Sequence, residues 1–225
     1  MKILFIVPEI RMDSGPAHFP FWAAILAAIV EKKGGKVGIL DLNALRTKYG
    51  GAKVPTKIIE EEISSEDWDL IGIGGLTTVY NRIKELAPIV KKMAPSSIFL
   101  GGGGWSSYNP DEILKLIPEL DLICIGEGEE TFSEIYDAIE NNSNDFENIN
   151  GLCIRDKDSC IWTKPRALID DLNTVPYPAY HLLETDVYFA FSSLPYSVES
   201  FNSKRRASVV WERGCPRGCT FCSHN

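Results

Sequence analysis

Hydrophobic positions in the first part of the chain follow two alternating rhythms. Short continuous apolar runs recur, and most are followed by a loop and then by apolar residues at helical spacing. Lys2 to Val7 is the first run, as expected of a parallel strand buried on both faces. After the loop Pro8 to Pro16, Ala17 to Lys33 reads as a helix stopped by Gly34-Gly35. Lys36 to Asp41, Asp69 to Gly74, Ser97 to Leu100 and Leu120 to Ile125 read as four further strands. Between and after them, Thr56 to Ser64, Val79 to Met93, Asp111 to Ile117 and Thr131 to Asn141 read as helices. Pro88, inside the second of these, is expected to kink it.

Strands alternating with helices predict an α/β fold: a five-stranded parallel sheet covered by helices on both faces. The common solution is the flavodoxin-like (Rossmann-like) strand order 2-1-3-4-5. The rhythm changes near Asn142. Gly151 to Arg155 and Cys160 to Thr163 read as a hairpin, and Lys164 to Tyr180, with Pro165, Pro176 and Pro178, reads as a surface linker. Asp186 to Lys204 has no clear period, and Ala207 to Trp211 is again strand-like. The expected divisions are 1–142 for the sheet domain, 143–204 for hairpin and linker, and 205–225 for the start of another domain.

Composition narrows the class. With 225 residues, 44% hydrophobic and 24% charged, the chain is an ordinary globular one. A net charge of −8 argues against general nucleic-acid binding, which needs clustered Lys and Arg. The apolar run Phe19 to Val30 is too short to span a bilayer, and the first residues lack the pattern of a signal peptide. Cys124, Cys153 and Cys160 stand singly, as buried small hydrophobes do. The expectation is a cytoplasmic protein with no membrane partner.

Ligands of open parallel sheets bind outside the carboxyl ends of the strands. Three loops predicted there are rich in glycine: Gly74-Gly75-Leu76-Thr77-Thr78, Gly101-Gly102-Gly103-Gly104-Trp105 and Gly126-Glu127-Gly128-Glu129-Glu130-Thr131. Such loops let a flat ligand approach backbone N–H donors, although glycine is also common in plain turns. No dinucleotide or P-loop fingerprint is present. Glu127, Glu129 and Glu130 could pair as acid and base, but acids at a helix start are the simpler reading. Trp105 either covers a ligand or fills a packing gap. His18 and His181 stand alone, and Asp41 by itself does not make the phosphoacceptor pocket of a response regulator.

The sharpest signal is Cys215-x3-Cys219-x2-Cys222. Three thiolates in a short Gly- and Pro-containing loop are soft ligands for one compact metal centre. On a four-iron cube they leave one iron open. A Cys3His zinc site with His224, in a non-catalytic cofactor-binding module, is the alternative.

With Phe221 just before the last cysteine and Arg213-Gly214-Cys215-Pro216 at its start, this motif resembles the radical S-adenosylmethionine signature. The resemblance implies that Cys215, Cys219 and Cys222 bind a 4Fe-4S cluster whose open iron chelates S-adenosylmethionine. An external electron donor would drive formation of the 5′-deoxyadenosyl radical. The motif would follow the first strand of a partial (β/α) barrel, which Ala207 to Trp211 fits.

Upstream, the sheet domain, the Gly-rich fourth-strand end, the Gly-Glu-Gly-Glu-x-Thr segment and Pro176-Tyr177-Pro178 are similar to the cobalamin-binding radical SAM group. That group includes cyclases of the anaerobic magnesium-protoporphyrin ester type and many methyltransferases. By resemblance cobalamin lies over Gly74, Gly75, Leu76, Thr77, Thr78 and Gly101 to Gly104, with Glu127 and Gly128 beside it. Implied activities are methyl transfer or oxidative or cyclising chemistry on an unactivated carbon of an unknown substrate. The Asp-x-His-x-x-Gly cobalt-ligating motif of many cobalamin domains is absent after the first strand. A partial barrel needs on the order of two hundred further residues, so the chain is expected to be the N-terminal portion of an enzyme and inactive alone. Its cysteine loop is expected to be empty or disordered without the rest of the barrel.

Overall fold

The computed structural model describes residues 1–10, 15, 16, 18–157, 159–191, 209, 210, 212–217, 219, 220 and 222. The strands are β1 (Lys2–Val7), β2 (Lys36–Asp41), β3 (Leu70–Gly74), β4 (Ile98–Gly102), β5 (Leu122–Cys124), β6 (Leu152–Asp156) and β7 (Ser159–Trp162). The helices are α1 (Phe21–Lys32), α2 (Leu42–Leu45), α3 (Thr56–Ile63), α4 (Tyr80–Met93), α5 (Pro110–Leu116), α6 (Glu129–Glu140) and α7 (Thr185–Phe191).

The strands form one seven-stranded sheet in the order β2-β1-β3-β4-β5-β6-β7. The pairs from β2 through β5 are parallel, so all five of these strands end at one edge. β1 shows why its residues are apolar without alternation. Leu4 and Ile6 join one core with Ile59 of α3 and Ile83 and Leu86 of α4. Ile3, Phe5 and Val7 join the other, with Ala27 of α1 and Phe132 of α6. Both faces are buried, as crossover helices dictate.

The expected five-stranded sheet with a separate hairpin is corrected in one respect. The hairpin joins the sheet, with β6 antiparallel to β5 and β7 antiparallel to β6. The physical reason is the exposed edge that β5 would otherwise present. Arg155 locks the union: its guanidinium donates to the Leu120 carbonyl at 2.7 Å, to that of Ile117 at 3.1 Å, and to that of Leu114.

Smaller differences have local causes. α1 starts at Phe21, after Pro20, because a residue preceding proline avoids the helical region. β4 runs into Gly101 and Gly102, which pair with Ile73 and Gly74 on one side and Ile123 and Cys124 on the other. α7 has no sequence period of its own. It forms where Tyr188 and Leu183 pack on Phe19, Ala24 and Ala44. α4 continues through Pro88 to Met93. Of the strand expected at Ala207 to Trp211, only Val209 and Val210 are described, and neither is in a strand.

Candidate functional site

The carboxyl edge of the parallel strands is built by contacts that exclude side chains. A Cβ on Gly74 would stand 3.1 Å from the Trp22 ring and 3.2 Å from the Gly102 carbonyl oxygen. Gly103, at φ +97°, could carry a Cβ only 2.6 Å from the Gly75 carbonyl oxygen. The loops after β3 and β4 therefore lie backbone against backbone. A Cβ on Gly101 would press on Trp105 at 3.1 Å. That tryptophan is buried, and its indole N–H donates to the Gly102 carbonyl at 2.8 Å. Of the two roles expected for Trp105, it fills the gap beneath the loops.

The outcome is a low shelf with few side chains. Leu76 is 64% exposed on it, Thr77 and Thr78 are exposed, and so is Gly103. A broad, flat ligand would meet accessible backbone, two hydroxyls and one apolar side chain. The shelf thus fits the kind of group the sequence motifs imply. The protein's own packing already requires several of these glycines, so glycine content alone would not have located the site.

The loop after β5 is organised differently. A Cβ on Gly128 would make ordinary contact with the Cys124 sulfur at 3.5 Å, whereas Gly126 faces open space. Glu127 is engaged on both oxygens: Oε2 accepts from the Ile169 N–H at 2.6 Å and Oε1 pairs with Arg213 at 3.2 Å. Glu129 pairs with the same guanidinium at 2.5 Å. Glu130 and Glu134 hold Arg166. The acids at the start of α6 therefore act as anchors for later segments, which their dipole position did not reveal. A cleft of about 470 Å³ opens between this loop, α1 and the proline-rich segment, lined in part by Trp22, Tyr177, Tyr180 and Arg213.

Other expected residues resolve simply. Glu9 is buried and holds Arg82 through two hydrogen bonds, at 2.7 and 3.0 Å. Asp41 is buried, caps α2 through the Ala44 N–H at 3.0 Å and accepts from the Tyr188 hydroxyl. It has no phosphoacceptor exposure. His181 meets Glu31 at 2.8 Å, and His18 is exposed. Burial pushes the Cys124 and Cys153 thiols up to about 12, which disfavours the reactive thiolate.

In the cysteine motif Cys215 is exposed, Cys219 and Cys222 are half-buried, and the Cys222 N–H donates to the Cys219 carbonyl at 3.1 Å. Three thiols suit an iron–sulfur cluster in kind. Among the described residues no three Cys, His, Asp or Glu side chains stand together as a metal site. His224 of the zinc alternative lies outside the described residues. No helix among the described residues is long and apolar enough to cross a membrane.

Comparison with known proteins identifies the family of the sheet domain. The family profile of the B12 binding domain matches residues 10–136. An uncharacterized methyltransferase of Pyrococcus horikoshii is 29% identical over 227 residues, covering 99% of this chain and 45% of that protein. An anaerobic magnesium-protoporphyrin IX monomethyl ester cyclase of Synechocystis is 29% identical over 153 residues, 68% of this chain and 28% of that protein. The chain thus spans less than half the length of either relative. Among solved structures, the cobalamin-dependent S-adenosylmethionine radical enzyme OxsB with aqua-cobalamin and S-adenosylmethionine bound has a TM-score of 0.66 at 18% identity, over 84% of this chain and 25% of that one. At that identity the likeness is one of fold.

Proposed function

The chain belongs to the B12-binding domain family, and from that premise we propose that it is the cobalamin-holding part of a larger radical S-adenosylmethionine enzyme. The observation that carries this reading is the shelf at the carboxyl edge of the sheet, cleared of side chains by the contact of Gly103 with Gly75. In this reading Gly74 to Thr78 and Gly101 to Gly104 hold the corrin, with Glu127 and Gly128 at its flank. Thr77 and Thr78 offer hydroxyl donors, and exposed Leu76 shields the ligand's apolar face from water. When bound, cobalamin supplies methyl-carrier chemistry, and a 4Fe-4S cluster with S-adenosylmethionine supplies radical chemistry. Cys215, Cys219 and Cys222 are the proposed ligands of that cluster, and the described arrangement would have to close to gather them. Residues 1–142 would form the cofactor domain, 143–204 the connection, and 205–225 the approach to the radical centre. The hairpin of the middle segment nevertheless belongs to the sheet.

Methyl transfer or an oxidative or cyclising step on an unactivated carbon is the proposed reaction class, in line with relatives named as methyltransferases and cyclases. An external electron donor and a cytoplasmic setting belong to the same proposal. Titration of the chain with hydroxocobalamin tests the first part: a saturable shift of the visible bands is expected, weakened at least about tenfold by Leu76→Asp. No shift at millimolar ligand would defeat the assignment. Anaerobic reconstitution of the whole protein tests the second, with about four iron atoms per chain expected. Stoichiometric zinc without iron uptake would favour the Cys3His alternative.

A further inference from the structure

We infer that Glu127 and Glu129 are positioning residues that hold the cysteine segment against the sheet by clamping Arg213. Arg213 lies two places before Cys215, and its guanidinium reaches both carboxylates, at 3.2 and 2.5 Å. The pairs are sheltered, with side-chain exposures of 27% for Arg213, 18% for Glu127 and 13% for Glu129. A fork of donors shared between two carboxylates is directional as well as strong, so it sets an orientation and not merely a proximity.

Two features extend the clamp beyond one ion pair. The second oxygen of Glu127 accepts from the Ile169 N–H at 2.6 Å, so the same side chain also fastens the proline-rich connection. Val209, Val210 and Arg213 also line the cleft that Trp22, Tyr177 and Tyr180 border. Closing the clamp therefore places a wall of that cleft and sets where the chain enters the cysteine loop. The Gly-Glu-Gly-Glu sequence suits this task. Gly126 adopts φ +76° beside open space, and the turn delivers both acids to one side at the start of α6. The significance for a metal centre rests on the functional reading above, but the clamp itself does not.

Trypsin tests it in the full chain, because Arg213 and Arg217 are both exposed cleavage sites and the two ion pairs of Arg213 set it apart. Clamped Arg213 cannot enter the protease, so cleavage after Arg217 is expected to dominate. In Glu127→Gln/Glu129→Gln, cleavage after Arg213 relative to Arg217 is expected to rise about fivefold or more, and high salt should raise it in the unaltered chain. Arg213→Lys keeps the cleavage site and both carboxylates but loses the fork, so an intermediate ratio is expected. This variant also serves if the double variant does not fold. A ratio unmoved by substitution and by salt overturns the clamp. The two ideas fail separately. Absent cobalamin or iron uptake would sink the functional reading with the cleavage ratios intact, and unmoved ratios would sink the clamp whatever the cofactor loading.

Discussion

The hydroxyl of Tyr188 donates a hydrogen bond to the carboxylate of Asp41, 147 residues away, and both groups are buried. This pair fastens α7 to the carboxyl end of β2, at the same edge as the shelf. Burial raises the Asp41 carboxyl to about 6 from its ordinary 3.8, and the hydrogen bonds from Tyr188, Ala44 and Asn43 only partly oppose it.

That shift has a sign. Between about pH 4 and 6 the folded chain binds this proton and the unfolded chain does not. Its stabilising contribution is therefore complete below pH 4 and is lost as pH rises through about 6. The span is on the order of 3 kcal/mol. Asp41→Asn is expected to remove this component, seen as the difference between urea midpoints of the two chains from pH 4 to 7. Parallel profiles would show that Asp41 titrates normally.

Tyr188→Phe leaves the same carboxylate without its hydroxyl donor. At pH 7 a loss of about 1–3 kcal/mol is expected, since an unsatisfied buried acceptor costs more than the bond itself contributes. Urea denaturation measures it. In Asp41→Asn the effect of Tyr188→Phe should shrink, because the two changes act on one contact.

Glu9 and Arg82 form a second buried pair, with side-chain exposures of 1% and 12%. Glu9→Ala leaves the Arg82 guanidinium with Glu85 as its remaining carboxylate partner and removes the acceptor of the Val54 N–H. A loss of about 3 kcal/mol is expected. Glu9→Leu with Arg82→Met should be less damaging than Glu9→Ala, because no largely buried, half-paired cation remains. Thermal unfolding of the three chains decides the order.

Gly103 and Gly126 both have positive φ, +97° and +76°, but their surroundings differ. Alanine at 126 meets only backbone strain, about 1–2 kcal/mol. Alanine at 103 also meets the Gly75 carbonyl at 2.6 Å, so the loops must part. Gly103→Ala is expected to be the more destabilising of the two and to weaken hydroxocobalamin binding. Equal effects would mean that the loops separate freely.

Thiol chemistry should divide the cysteines. Cys124 and Cys153, held up at about 12 by burial, should resist iodoacetamide at pH 8 in the folded chain. Exposed Cys215 should be alkylated first. Mass mapping over a time course checks this, and early labelling at Cys124 would contradict the buried placement.

Much of this protein was legible in its one-dimensional pattern. Apolar runs at Lys2–Val7 and Lys36–Asp41 marked β1 and β2 to the residue, because each run is bounded by residues that break the apolar pattern: Lys2 and Pro8 around β1, Lys36 and Asp41 at the ends of β2. The glycine-rich strand ends and the spacing of Cys215, Cys219 and Cys222 were local signals, and local signals survive without a fold. The joining of β6 to β5 depended on a free strand edge, and α7 depended on a surface prepared by Phe19, Ala24 and Ala44. Neither edge nor surface exists until distant segments meet. The acids Glu127 and Glu129 looked like ordinary helix-start residues because their partners, Ile169 and Arg213, lie 42 to 86 positions away. Sequence alone determined which elements form and which residue types carry the chemistry. Only tertiary structure decided which side chains those residues hold, because hydrogen bonds and close packing act through space and not along the chain.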